Sequence, residues 1–557
     1  MELKIVYRVL RKISDWTLGG FYSEVHVEGQ ENVPRAGPLI ITSTHHNEII
    51  DIATLAATIP YRRQLSFWAK STMFVNPITR AILTSTGAIP VRRNPNNGTT
   101  SSSSAQPTAN PLPQSNLFKE SSNALASGQI IGVFPEGTSY TQHSIVQVMP
   151  GAAWAAVEFV KWVHEQNLDE KGQELTIVPV GIVYTDKSRY LSRVCIKYGT
   201  PITVSAYTSE LFNDNTDIDA ASKLVVKNIM VEVEKQMKEM SINAPDWDTL
   251  YAAETARDIL WENDKTLLLK DWVTVSQNLI KLFSTPASPE HSDLDDVKAS
   301  LVKYRALLHY AQIKPSTLNG LIPQGSRNLR IAYVLLRLPA TLLSLIMFTP
   351  AMILHLPAYL TGSLAARFLS VKDEEETHAQ FKAIGGGVGL GASVVSTLWA
   401  LRRTGWLFPA LTLLNLEGGV LTGVKRILGV LGGIYSSFYF LVKWHTLLVA
   451  GVFKRLLAFC RLFAGILPHN VVTENELEAY LRPPPPPPNP FIKNRDEAPK
   501  AVMPMPNKIA PRRLIKPMLS ARKEASTALG VYLRSLETGD DGGIVGFLKA
   551  KGARIPM

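Results

Sequence analysis

Residues 338–366 contain no Lys, Arg, Asp or Glu, and this run limits the architecture more than any other feature of the chain. At about 1.5 Å per residue, a helix of that length exceeds a hydrocarbon core of roughly 30 Å, even with Pro339, Pro350 and Pro357 inside it. It is expected either as one long kinked span or as a re-entrant hairpin. A second span is expected over 383–401, opened by Gly385, Gly386 and Gly387 and closed by Arg402 and Arg403. Weaker candidates follow at 427–442 and 444–453. Arg337, Arg367, Arg402, Arg403, Lys425 and Arg426 flank these segments too evenly for the positive-inside rule to decide topology.

The apolar residues are concentrated there, whereas the first three hundred residues read as soluble. A chain of 557 residues is too long for one compact core, so several regions are expected. The net charge of +11 suits anionic lipid or anionic substrates. Nucleic acid is set aside as a partner: no basic stripe interleaved with aromatics and no zinc or helix-turn-helix signature is present. The only two cysteines, Cys195 and Cys460, lie far apart, which excludes a disulfide framework and a cysteine-rich metal site. At the N-terminus Lys4, Arg8, Arg11 and Lys12 interrupt the apolar residues, so 1–23 reads as an amphipathic helix and not as a secretory signal.

Between 24 and 210 short β-branched runs alternate with helical patterns, the signature of an α/β domain. Extended segments are expected at 24–28, 38–44, 87–91, 130–134, 175–184 and 194–198. Residues 94–114 are Asn-, Ser-, Thr- and Pro-rich and read as a mobile insertion. A polar helical extension is expected over 211–330, the membrane region over 331–467, and a Pro-rich basic tail, largely disordered, over 468–557.

Four stretches of the α/β region carry candidate chemistry. Thr44-His-His-Asn-Glu-Ile-Ile-Asp51 joins a strand to a helix and supplies a histidine base with a carboxylate to orient it, through either His45 or His46 with Asp51. In Gly87-Ala-Ile-Pro-Val-Arg-Arg93 a strand delivers Arg92 and Arg93 to a loop, and a guanidinium fork matches a phosphate. Phe134-Pro-Glu-Gly-Thr-Ser139 is a tight turn in which Gly137 permits positive φ, Thr138 offers a hydroxyl and Glu136 is available to a substrate hydroxyl. Ile177-Val-Pro-Val-Gly carries Pro179, which is expected at a strand edge or end. His143 is read as a solvated loop histidine.

Taken in order, these motifs resemble the glycerolipid acyltransferase family, and most of all its fungal branch that acylates glycerol-3-phosphate and dihydroxyacetone phosphate. The likeness is strong over 20–205 and looser to about 450. The fungal pattern His-x-Asn-x-x-x-Asp fits His45, Asn47 and Asp51, whereas the commoner family spacing fits His46. The resemblance implies an α/β catalytic domain of that family's type, with a helical extension and C-terminal transmembrane helices. It implies catalysis by His45 (His46 the alternative base) with Asp51, and substrate binding by Arg93, Arg92, Glu136, Gly137 and Thr138. It also implies acyl-CoA as co-substrate, no metal or cofactor, and a multi-pass protein of the endoplasmic reticulum membrane with a cytosolic catalytic domain. One departure is Met149-Pro-Gly-Ala-Ala, where relatives often carry a basic residue. A lysophospholipid acyltransferase and a non-catalytic membrane scaffold are the alternatives.

Overall fold

The computed structural model describes residues 5–91, 114–166, 174–212, 217–261, 266–284, 292–313, 327–370, 375–405, 420–449, 472–484, 510–537 and 542–556, with 315, 456 and 492 singly. Arg92, Arg93, Cys460 and all but the last residue of the expected insertion 94–114 lie outside the described residues.

An eight-stranded sheet organises the first part of the chain. Its strands are β1 (Glu24–Glu28), β2 (Leu39–Ser43), β3 (Leu65–Lys70), β4 (Ile89–Val91), β5 (Ile130–Val133), β6 (Thr176–Tyr184), β7 (Arg193–Tyr198) and β8 (Ile202–Thr203). They lie in the order β1-β7-β6-β2-β5-β3-β4, with β8 also on β6. From β6 to β4 every neighbour is parallel, while β7 and β8 run antiparallel to β6. All five residues of β2 are buried, as a strand covered on both faces requires.

Alternation along the strands sorts the side chains into two cores. Leu39, Ile41, Val178, Val180 and Ile182 pack with residues of α1 (Ile5–Phe21) and α2 (Ile49–Thr58). Ile40, Ile131, Val133 and Ile177 pack on the other face, against α4 (Gln114–Ala126) and α5 (Gly151–Glu165), α3 (Pro77–Ser85) lying between β3 and β4 in sequence. The same core takes Val225, Ile229, Val233 and Met237 from α6 (Ile218–Glu239). That helix was expected in the extension beyond 210; its apolar stripe makes it part of the α/β layer instead.

Pro179 corrects another expectation. It lies inside an interior strand, opposite Thr42 of β2. On its other side β8 pairs with Thr176 and Ile177 and β7 takes over from Val180, so the proline falls in the gap between two partners. A missing N–H costs no ladder bond there, and the Pro179 carbonyl accepts from the Gly199 amide at 2.7 Å.

The helical extension comprises α7 (Trp247–Leu260), α8 (Trp272–Phe283) and α9 (Ser292–Tyr310). Part of the tail expected to be disordered completes it. Pairs of apolar residues at helical spacing, Met518, Ala521, Ala525, Leu529 and Leu533 of α13 (Ile515–Leu536) with Val545 and Leu548 of α14 (Gly542–Ala550), are buried in the same core as α7 to α9. Arg257 stacks over the Trp272 ring at 3.8 Å, inside this unit.

Residues 338–366 fall within a single helix, α10 (Arg327–Leu369), with its three prolines internal. It forms a hairpin with α11 (Glu375–Arg403), and α12 (Val420–Leu447) follows. Leu338–Leu369 and Thr377–Arg403 are long and apolar enough to cross a membrane, and little of each is buried. Their approach is close: a Cβ on Gly389 would stand 2.6 Å from the Pro357 carbonyl, and one on Gly385 2.7 Å from that of Thr361. Thr361 Oγ1 donates to the Gly385 carbonyl at 2.6 Å, and Ser393 Oγ to that of Leu354 at 2.6 Å. Small residues and interhelical hydroxyl bonds are what hold helices together where lipid removes the hydrophobic drive.

Candidate active site

Because β6, β2, β5, β3 and β4 run parallel, their C-terminal ends lie on one side of the sheet, where open α/β folds build their sites. The histidine motif follows β2, the Phe134–Ser139 turn follows β5, Tyr184 ends β6 and Val91 ends β4. The chain is pinned where it leaves β2: Thr44 N–H donates to the Val180 carbonyl at 3.1 Å, and Thr44 Oγ1 accepts from the Ile182 amide at 2.8 Å.

His45 and Asp51 meet there. His45 Nδ1 lies 2.9 Å from Asp51 Oδ2, with the histidine side chain 15% exposed and the carboxylate fully buried. Asp51 Oδ2 also accepts the Asn47 amide at 2.7 Å, and Oδ1 accepts the Tyr184 hydroxyl at 2.6 Å. A carboxylate can only accept, so Nδ1 is the donor and the His45 proton is fixed on that nitrogen. Nε2 then carries the lone pair of a neutral ring. Phe134 stacks on the imidazole, centroids 4.0 Å apart, and Phe67 on Phe134 at 5.8 Å. His46, the other candidate, makes no side-chain bond to Asp51 among the described residues; its carbonyl is reached by Lys187 Nζ at 3.5 Å.

Asn47 is fully buried and donates its amide to the Lys187 carbonyl at 3.1 Å. Buried next to the Asp51 carboxylate, the phenols of Tyr184 and Tyr22 are held far above the ordinary tyrosine range, desolvation being the larger cause and that negative charge the second. Both stay protonated, which keeps the Tyr184 hydroxyl a donor.

Glu136 has no exposed surface. Its Oε1 accepts the His45 main-chain amide at 2.7 Å, behind the histidine. Burial raises its pKa, against the lowering influence of His46, Tyr140 and the His45 amide. Gly137 has φ 75°, and a Cβ there would collide with Met149 Cε. Met149 N–H donates to the Pro135 carbonyl at 2.7 Å, so this residue, standing where relatives often have a basic one, closes the turn. His143 is not solvated as expected: its Nδ1 donates to the Ala244 carbonyl at 2.8 Å, docking the loop on the start of the extension.

A cavity of about 2870 Å³ opens in front of the dyad. His45, Gly137 and Thr138 line it, as do Val91, Trp16 of α1 and Gly386 and Val388 of α11. Val91, the last residue of β4, lines the cavity; the expected phosphate-binding Arg92 and Arg93 lie outside the described residues.

The sequence reading missed Tyr184 and Phe134. A polar-tipped aromatic ending the otherwise apolar run 177–183 was the available sign of the first. The aromatic immediately before Pro135 was the sign of the second.

Residues 24–183, which carry the strands from β1 to nearly the end of β6 together with the dyad, match the Acyltransferase family model. Among curated proteins the chain is similar to glycerol-3-phosphate O-acyltransferase 2 of Saccharomyces cerevisiae, 27% identical over 150 residues, 27% of this chain and 18% of that protein. It is also similar to glycerol-3-phosphate O-acyltransferase 1 of the same yeast, 22% identical over 248 residues, 43% of this chain and 31% of that protein. The chain thus spans less than a third of the length of either relative. Among solved structures, the 1-acyl-sn-glycerophosphate acyltransferase PlsC of Thermotoga maritima matches over 41% of this chain and 78% of its own, at 17% identity and a TM-score of 0.27.

Proposed function

We propose that this chain is an acyl-CoA-dependent O-acyltransferase that acylates the hydroxyl of a small phosphorylated three-carbon acceptor, glycerol-3-phosphate or dihydroxyacetone phosphate. The observation that carries the reading is the 2.9 Å bond between His45 Nδ1 and the buried Asp51 carboxylate, which leaves Nε2 basic at a cavity wall. In this scheme Nε2 takes the acceptor's hydroxyl proton as its oxygen attacks the thioester carbonyl. The C–S bond breaks, and the proton passes to the coenzyme A sulfur. The charge that develops on the imidazole is held by Asp51. Among the described residues no serine or cysteine is hydrogen-bonded to the His45 ring, and in this scheme transfer is direct.

Arg93, with Arg92 next to it in sequence, takes the acceptor phosphate, and Glu136, Gly137 and Thr138 bind the acceptor from the turn after β5. Glu136 also contributes by holding His45. Holding both reactants makes the attack effectively intramolecular. The apolar helices α10 and α11 anchor the chain in a membrane, in this reading the endoplasmic reticulum with the α/β domain on the cytosolic side.

The test is transfer from labelled acyl-CoA by membranes carrying the wild-type chain, His45→Ala or His46→Ala at matched protein levels. Glycerol-3-phosphate, dihydroxyacetone phosphate and lysophosphatidic acid are the acceptors. The expected result is transfer to the small phosphates, abolished by His45→Ala and largely kept by His46→Ala. Transfer only to lysophosphatidic acid would replace the acceptor in this reading, and no transfer to any acceptor would overturn it in favour of a scaffold.

A further inference from the structure

Two neighbouring helices of the α/β domain turn apolar side chains outward. In α1, one side docks on the domain: Leu18 and Phe21 are buried, and the Tyr7 hydroxyl donates to the Arg63 carbonyl at 3.3 Å. At 3.6 residues per turn, Ile5, Val6, Val9, Ile13 and Trp16 fall within one arc of about 100° on the side away from these. Each of the five is between 39% and 62% exposed. Arg8 and Lys12, both exposed, border that arc, and Lys12 Nζ lies over the Trp16 ring at 5.8 Å.

The helix α3 packs against α1 and follows a short turn, Ser71–Phe74, at the end of β3. It is firmly started: Pro77 opens it, and the Asn76 side chain accepts the Ile78 and Thr79 amides at 2.9 and 3.3 Å. Yet none of its residues is buried. Val75 before it is 80% exposed, Ile78 74%, Ile82 43% and Met73 39%. Single exposed apolar residues are ordinary, but a contiguous set on a capped helix marks a surface that meets something apolar.

Three observations say what covers it. The surface is continuous with the apolar hairpin, since α1 also packs against α11, and Trp16, Met73 and Ile82 line the same cavity as Val388 and Val395 of α11. Residues 52–119 contain no Asp or Glu, while their described part carries Arg62, Arg63, Lys70 and Arg80, so no carboxylate there repels an anionic headgroup. A tryptophan beside a lysine, as at Trp16, is the side-chain chemistry of the membrane–water interface.

We propose that α3 and the turn before it lie in the interface of a lipid bilayer beside α1. This is a second contact of the chain with the membrane, made by the α/β domain itself. Val75 and Ile78 enter the boundary between headgroups and acyl chains, flanking the part of the cavity lined by Met73, Ile82 and Trp16. The contact needs a bilayer but no reaction, so it stands or falls apart from acyl transfer.

The test puts an NBD fluorophore on a single cysteine, Val75→Cys or Ile78→Cys, in the full chain carrying Cys460→Ser. Both sites are exposed enough for substitution to leave the cores intact. The chain is held one copy per nanodisc of phosphatidylcholine and phosphatidylglycerol in equal parts. Ile346→Cys in α10, 69% exposed, is the lipid reference, and Lys235→Cys in α6, with a side chain 62% exposed, is the water reference. Labels at 75 and 78 are expected to emit to the blue of the label at 235 and to lose most of its quenching by iodide. Quenching at 75 and 78 equal to that at 235, with 346 shielded, overturns this contact and leaves the hairpin in the membrane. Quenching at 346 as well overturns both. Shielding that appears only when two copies share a disc assigns the surface to a second copy of the chain and overturns the lipid. On the unaltered chain, a lipid with a diazirine at the start of its acyl chain should label 71–85, and labelling confined to 338–403 overturns the proposal.

Discussion

Replacing Asp51 by Asn separates the charge of the dyad from its geometry. Asp51 Oδ2 accepts two N–H groups, from His45 and from the Asn47 main chain, and Oδ1 accepts the Tyr184 hydroxyl. An asparagine amide can enter this site in only one sense. Its oxygen must face the Asn47 amide, since an NH2 there would oppose donor to donor. The same oxygen then keeps His45 Nδ1 protonated, and the new NH2 faces the Tyr184 oxygen, which can accept. The tautomer survives and only the charge is lost. A charge-assisted bond exceeds a neutral one by about 1 to 2 kcal/mol, which corresponds to a fall in kcat of about fivefold to thirtyfold. Without the Asn47 clamp the amide could reverse and force the wrong tautomer, which costs about 10⁴-fold in triad enzymes. Asp51→Ala instead strands three donors at about 1 to 3 kcal/mol each and is expected to lower the melting temperature as well as the rate. The assay is kcat for transfer from acyl-CoA, with melting temperature and circular dichroism recorded in parallel. A loss of 10⁴-fold in a stably folded Asp51→Asn chain would refute the clamp, and an unchanged rate would refute the dyad.

Burial raises the Glu136 pKa, so the native state holds its proton more tightly than the unfolded chain and this residue's contribution to stability falls as pH rises through the interval between the ordinary glutamate value and the raised one. Glu136→Gln keeps an acceptor for the His45 amide and removes that titration; its melting temperature relative to wild type should climb across this interval, and a flat difference from pH 4 to 8 would contradict the account. Gly389→Leu places a side chain where a Cβ already meets the Pro357 carbonyl at 2.6 Å, so the α10–α11 hairpin should part, detected as proteolysis within 370–375 or lost monodispersity in detergent; an unaffected chain would refute the close packing. Burial pushes the Cys195 thiol up to about 12, so in a Cys460→Ser chain maleimide labelling at pH 8 should run about a thousandfold slower than for a free thiol and recover on unfolding.

The parts legible in the sequence are those written in short-range pattern. The buried strands around Ile40, Ile131 and Val178 announced themselves as continuous β-branched runs, and the two long apolar helices as the absence of charge. The histidine motif was legible as a set of residues, but the choice between His45 and His46 was not. It depends on the path of the chain at the start of α2, where Asn47 turns its amide onto Asp51, and spacing does not carry that information. Tyr184 lies 133 residues from its partner, joined only by the register of β6 on β2. The tail misled because Pro483 to Pro488 and its basic residues dominate the composition, while the stripe Met518, Ala521, Ala525, Leu529 has meaning only opposite α9.

The register of the dyad also depends on the apolar hairpin. Between His46 and Ile49, Glu48 takes φ 44° and ψ −119°, a conformation that costs a residue with a side chain about 1 to 3 kcal/mol and persists only where its surroundings impose it. Its carboxylate accepts the side-chain amide of Gln380 from α11, and Ala379 beside it is buried in the core under β2 and α2. Nearby, Lys382 Nζ reaches the Ser188 carbonyl at 3.5 Å. The strained turn is thus held from the helix side as well as from the sheet, and relaxing it would move Asn47, whose amide fixes the Asp51 oxygen that orients His45. An α/β domain released from the hairpin would keep its strands while losing Ala379 from the core and the constraint on that turn. In the proposed reaction this dependence has a use: the base is held in register where the α/β domain meets the apolar hairpin.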